Sequence, residues 1–301
     1  LAPIIKATLV RGYQQDQVQQ KLIEILSESK IGLSGVEIAE RLGINRATIT
    51  KYLNVFAAEG IIRQKNIGNA NLWFIESGTE TLEFPADYFR VKEKFLEYMT
   101  GGLQNQAHQL IRNCQHSGAD AGKIMVEVMV PAIIAIDDLY LKAKIGKSEA
   151  KLFSGIVSSS IQILSLAHND FDPKKNVTVL AADPQSVLYS QAAACFFGSR
   201  KWQAWSLGDM SDAIDVMYDL DLQKFLTRVW RQKQGMMAVV VFCATDEGAK
   251  FFSEAISSVK PKFGRNLHLA IYTKAKNIKA EFVSENFEAV LQWVESISGS
   301  I

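Results

Sequence analysis

The sequence predicts a multidomain chain of α+β and α/β class: a small mixed segment, then a helical segment, then a doubly wound parallel sheet. Three observations predict it. The chain has 301 residues, about twice the length of one ordinary domain. Its hydropathy pattern changes character twice, from short helical periods and an alternating run, to unbroken helical periodicity, to apolar runs alternating with helical stretches. In the last part, runs such as Ala238 to Phe242 are apolar at every position, as strands covered on both faces are. The expected divisions are 1–78, 85–170 and 174–299.

Composition narrows the class. Hydrophobic residues make up 48% and charged residues 22%, and 33 Lys+Arg face 32 Asp+Glu for a net charge of +1. A disordered chain, a collagen and a globally basic nucleic-acid coat are excluded. Cys114, Cys195 and Cys243 stand far apart and form no CxxC, which argues against a disulfide scaffold and a cysteine zinc site and for a reducing compartment. The most apolar stretch, Met125 to Ile136, is about 12 residues long against roughly 20 for a bilayer span, and carries Glu127 and Pro131. The first residues show no charged head followed by an apolar core. The expectation is a soluble cytoplasmic protein without a membrane partner.

The N-terminal elements follow from spacing. Val18, Leu22, Ile23, Ile25 and Leu26 form the apolar face of a first helix. Gly32 to Gly35 breaks it, and Ser34 stands as N-cap for a second helix, Val36 to Leu42. Gly43-Ile44-Asn45 is a tight turn, with Asn45 placed to cap a third helix from Arg46 to about Glu59. A strand over Ile61 to Lys65, a turn over Ile67 to Asn71 and a strand over Leu72 to Ile75 complete a hairpin.

The stretch from Val36 to Leu53 has the helix-turn-helix signature. Ala39 lets two helices approach, Gly43 supplies a positive φ, and Ile44, Ile49 and Leu53 face inward. With the hairpin as a wing, residues 18 to 75 resemble the winged helix-turn-helix of prokaryotic transcription regulators. The resemblance implies a double-stranded DNA partner and a homodimer reading two half-sites. Residues 1 to 75 hold nine Lys+Arg and six Asp+Glu, a local excess of positive charge suited to phosphates. The expected DNA-facing residues are Asn45, Arg46, Thr48, Thr50, Lys51 and Asn54 on the third helix, and Arg63, Lys65 and Asn69 on the wing.

From Pro85 to His168 the periodicity is helical, with breaks at Gly101-Gly102, Ser117 to Asp120 and Lys144 to Gly146. That count gives a four-helix bundle. Beyond Phe171, strand-like runs at Val177–Leu180, Lys201–Leu207, Met237–Cys243 and Leu267–Tyr272 alternate with helical stretches at Gln185–Phe197, Leu222–Gln232, Glu247–Val259 and Phe287–Ile297. Ligands of such sheets sit at the carboxyl ends of the strands.

The order Gly101-Gly102, Gly118-Ala119-Asp120, Val128 to Ala132, Asp137 to Tyr140 and Lys144 to Ala150 resembles the helical cap that precedes a flavodoxin-like cobalamin-binding domain. Such modules occur in corrinoid methyl-transfer proteins and in cobalamin-dependent photoreceptor repressors. In that family a DxHxxG motif follows the first strand, its His ligating cobalt and its Gly making room for the nucleotide tail. Here Asp183 is kept, Gln185 stands at the His position and Leu188 at the Gly position. A Gln amide is a poor cobalt ligand beside imidazole. The Ser turn after the third strand and the Gly-Gly after the fourth are replaced by Cys243-Ala244-Thr245 and Ile271-Tyr272-Thr273. In the cap, Tyr140 lies near the position of a Trp, and Glu149 is followed by Ala150 where the photoreceptor branch has His. The expectation is a fold kept and a cofactor site altered, with Tyr140, Asp183, Gln185, Cys243, Thr245 and Tyr272 lining the ligand edge. The effector stays open between cobalamin or another tetrapyrrole, a smaller molecule, and none.

No other pattern carries chemistry. His108, His116, His168 and His268 form no HxxxH, and there is no GxSxG, Walker motif or GxGxxG. Asp209, Asp212 and Asp215 read as loop carboxylates, Cys195 and Cys243 as packed thiols, and Tyr140 and Trp202 as core or stacking aromatics. The sequence thus predicts a regulator rather than an enzyme, with no metal site. The alternative is a corrinoid- or haem-binding methyl-transfer or sensor component.

Overall fold

A computed structural model describes residues 15–27, 29, 32–59, 61–67, 70–75, 82–166, 170–213, 217–230 and 235–299. The chain divides into two compact units, 1–82 and 83–301, so the helical segment and the parallel sheet belong to one body.

The first unit holds α1 (Gln15–Ser27), α2 (Gly35–Leu42) and α3 (Arg46–Ala58). A three-stranded sheet of β1 (Leu33–Ser34), β2 (Arg63–Ile67) and β3 (Ala70–Phe74) completes it, in the antiparallel order β1-β3-β2. The caps fall where the sequence puts them. Ser34 Oγ accepts from Glu37 N, and the Glu37 carboxylate accepts from Ser34 N at 2.7 Å, a reciprocal capping box. Leu22, Leu26, Ile38, Ile49, Leu53, Phe56 and Trp73 close one apolar core.

Three details depart from expectation. The turn read over Ile67 to Asn71 is narrower, because Ile67 ends β2 and pairs with Ala70 of β3. Ile61 and Ile62 are core residues that precede the strand, which starts at Arg63. The segment read only as a helix break also forms β1, where Leu33 pairs with Trp73. Gly32 permits that approach: with φ +91°, a Cβ on it would lie 2.7 Å from the Trp73 carbonyl oxygen.

In the second unit four helical stretches come first: α4 (Tyr88–Thr100), α5 (Gln104–His116), α6 (Ala121–Ile124) running into α7 (Val130–Leu141), and α8 (Lys147–Ser165). Between α6 and α7 lies a π turn, Met125–Met129, closed by Val130 N donating to Met125 O. Its cause is Pro131, which offers no N–H and crowds the preceding turn, so the helix widens there. The bundle leans on the sheet domain through close contact. Gly122 of α6 approaches so near that a Cβ would meet Ser199 Oγ at 3.1 Å and Phe196 Cδ2 at 3.2 Å.

The sheet has five parallel strands: β4 (Asp172–Ala181), β5 (Trp202–Asp209), β6 (Met236–Phe242), β7 (Leu267–Tyr272) and β8 (Phe282–Ser284). Their order is β5-β4-β6-β7-β8, the flavodoxin-like arrangement with its switch point between β4 and β6. Helices α9 (Val187–Ser199) and α12 (Phe287–Ser298) cover one face, and α10 (Tyr218–Val229) and α11 (Asp246–Phe263) the other. All seven side chains of β6 are buried, each Met, Val and Phe among them contributing about 1.5–3 kcal/mol relative to exposure. Strand β8 has no counterpart among the runs read from the sequence, because three half-buried residues carry no period.

Candidate nucleic-acid interface and ligand edge

The turn between α2 and α3 is set by two residues. Gly43 adopts φ +65°, ψ 28°, and its N–H reaches back to Ala39 O and Glu40 O, stopping α2. Asn45 Oδ1 accepts from Ala47 N at 2.8 Å, starting α3. Ile44, Ile49 and Leu53 are buried, which orients the helix so that Asn45, Arg46, Thr50, Lys51 and Asn54 are exposed and Thr48 half-buried. Thr50 Oγ1 donates to Arg46 O at 2.8 Å. The sequence-predicted set on α3, apart from the half-buried Thr48, thus shares one exposed side. Arg63 and Lys65 are exposed on β2. Asn69 lies outside the described residues, and Ile67 pairs with Ala70 on either side of it.

At the carboxyl ends of the strands lie Asp183, Gln185, Cys243, Thr245 and Tyr272, with separate roles, while Tyr140 stands apart on the cap helix α7. Asp183 is buried, and its two carboxylate oxygens are both used by backbone: Oδ1 accepts from Ser186 N at 2.9 Å, Oδ2 from Ala244 N at 2.7 Å. It therefore ties the loop after β4 to the loop after β6. Cys243 is buried, donates its thiol to Thr245 O at 3.0 Å, and has its pKa pushed up by burial. Thr245 Oγ1 caps α11 by accepting from Gly248 N. Gln185 is exposed in the first loop. Tyr140 is 49% exposed on α7.

Tyr272, at the end of β7, belongs to a ring cluster that sequence reasoning did not assemble. Its centroid lies 5.3 Å from that of Tyr189 on α9, 5.4 Å from Phe242 at the end of β6 and 6.4 Å from Phe287 at the start of α12. Tyr189 also lies 6.1 Å from Phe287, and Phe242 5.7 Å from it. Burial holds both phenols above the usual phenol range. Asp137 of α7 faces this pair from the cap. Crowding by protein atoms raises its pKa while Lys274 opposes the rise. The signal available in the sequence was position: Tyr189 follows Leu188, and Tyr272 ends a strand-like run.

The remaining candidates have local work. Glu149 accepts from Gly146 N at 2.8 Å and so starts α8. His108 Nε2 bonds Ser159 Oγ at 2.7 Å, and His268 Nδ1 meets Glu281 at 2.7 Å. Trp202 is buried, 5.4 Å from Phe197, with its indole N–H on Glu295. Asp209 accepts from Ser211 N within its turn. Burial pushes the thiols of Cys114 and Cys195 up to about 12 and about 11. His168 and Asp215 lie outside the described residues. Among the described residues no three His, Cys, Asp or Glu side chains are grouped as a metal site, and no helix is long and apolar enough to cross a membrane.

The architecture joins a helix-turn-helix domain at the N-terminus to a module of the cobalamin-binding fold. A family model described as an HTH domain matches residues 18–63. The solved monomethylamine corrinoid protein of Methanosarcina barkeri is similar at 12% identity, covering 69% of this chain and 98% of its own, with a TM-score of 0.53. A cobalamin-binding protein from Desulfitobacterium hafniense is similar at 11% identity over 69% of this chain and 97% of its own, with a TM-score of 0.33. No curated protein matches in sequence.

Proposed function

We propose that this protein is a DNA-binding transcription regulator whose second unit senses a signal or pairs two copies. The observation that carries the reading is the exposed side of α3. Arg46, Thr50, Lys51 and Asn54 line it while Ile49 and Leu53 anchor its opposite side in the core. A helix presented in this way fits the major groove. Its N-terminal residues reach base edges, and Arg63 and Lys65 on the adjoining strand are suited to phosphates. The reading takes the second unit as a non-catalytic module. An effector of that module acts only through different affinities for two states of the protein.

The test is a mobility shift against an operator selected from random duplexes. Arg46→Ala with Lys51→Ala is expected to weaken binding by on the order of 10- to 100-fold and to flatten its dependence on salt, because two phosphate- or base-facing cations are gone. Equal shifts for variant and wild type at every salt concentration would overturn the assigned face.

A further inference from the structure

The proposed function leaves unused the ring cluster under the cap. Its four members come from four elements that converge on one place: Tyr189 from α9, Phe242 from β6, Tyr272 from β7 and Phe287 from α12. Tyr189, Phe242 and Phe287 are at most 9% exposed. The space between the carboxyl ends of the central strands and the α9–α12 face is therefore occupied by these packed rings. The loops beneath are satisfied internally as well. Asp183 holds Ser186 N and Ala244 N, and a Cβ on Gly248 would lie 2.9 Å from both Cys243 Sγ and Thr245 Oγ1.

The place matters because of its register with the sequence departures. Leu188 stands at the position where the resembling family keeps a Gly for the cofactor's nucleotide tail, and Tyr189 is the next residue. Tyr272 stands where that family has its Gly-Gly turn. Two separate elements, α9 and β7, have thus exchanged small residues for larger ones around one channel. Admitting a tail requires rings to leave the core, and aromatic side chains carry the largest hydrophobic payloads there. The residues present do not fit cobalamin.

We propose that the second unit is closed to cobalamin by this four-ring plug, so that the protein holds a cofactor fold whose channel is occupied by its own side chains. The inference rests on the fold of the module and not on DNA recognition, so the test below and the mobility shift fail separately.

The test is titration of the full-length chain with hydroxocobalamin, followed by gel filtration and visible absorption of the protein peak. Three proteins are compared: wild type, Gln185→His, and Gln185→His combined with Tyr189→Ala and Tyr272→Ala. Wild type and the single variant are expected to elute colourless, since a restored imidazole cannot help while the channel is full. The triple variant is expected to retain cobalamin at least about tenfold more tightly than the single one. Cobalamin retained by wild type or by Gln185→His alone would sink the proposal. So would a triple variant that unfolds cooperatively yet retains none. If the triple variant does not fold, Gln185→His with Tyr189→Ala removes one ring only and is judged by the same two outcomes.

Discussion

Asp183 shows how one residue can carry two readings. The sequence marks it as the surviving member of a cofactor motif. In the structure its carboxylate is consumed by two backbone N–H groups, one three residues away and one 61 residues away. No local pattern could have disclosed the second partner, because it depends on β4 and β6 being neighbours. Charge-assisted bonds of this kind are stronger than neutral ones, and each donor left unsatisfied in a buried loop costs about 1–3 kcal/mol. Asp183→Ala is therefore expected to lower stability in urea unfolding by roughly 2–4 kcal/mol, with Asp183→Asn intermediate, since an amide has only one acceptor oxygen. A midpoint for Asp183→Ala equal to that of wild type would show that the carboxylate does not hold the two loops together. Tyr189 and Tyr272 make the same point about legibility. Each is visible in the sequence as an aromatic, Tyr189 early in a helical stretch and Tyr272 at a strand end, but their meeting at 5.3 Å is a product of topology.

Local signals were legible at the scale of elements, and short or distorted pieces were not. Both caps of the helix-turn-helix, Ser34 and Asn45, are written in side-chain chemistry within three residues of the groups they satisfy. The same holds for β6, whose unbroken apolar run reports burial on both faces. By contrast β1 is two residues long, β8 three, and the π turn replaces an α turn without changing which residues are apolar. Gly43 lets the turn be tested directly. Nothing lies within 4 Å of a Cβ built on it, so a side chain there meets only the cost of φ +65°. Gly43→Ala is expected to destabilise the first unit by about 1–2 kcal/mol, measured by thermal unfolding, and Gly43→Asn by less. A Gly43→Ala protein as stable as wild type would mean the α2–α3 turn does not require the left-handed conformation.

For the whole molecule, charge and symmetry decide how the head is used. The chain carries a net charge of +1, yet its first 75 residues hold three more basic than acidic residues, so the proposed attraction to DNA is local to the head. In the proposed function the 13-residue α3 would contact a single half-site, and a single small module buries only about 600–1,000 Å² against DNA. Two heads tied in one assembly convert the second contact into an intramolecular event, which raises affinity without new chemistry. A two-fold operator is the matching target, with half-sites a helical turn or a multiple of it apart. We therefore expect two chains per operator duplex in sedimentation equilibrium. Inserting about five base pairs between the half-sites is expected to weaken binding strongly, because it rotates one half-site to the opposite side of the helix. One chain per duplex, or an affinity unchanged by that insertion, would show that each head acts alone and that pairing is no part of recognition.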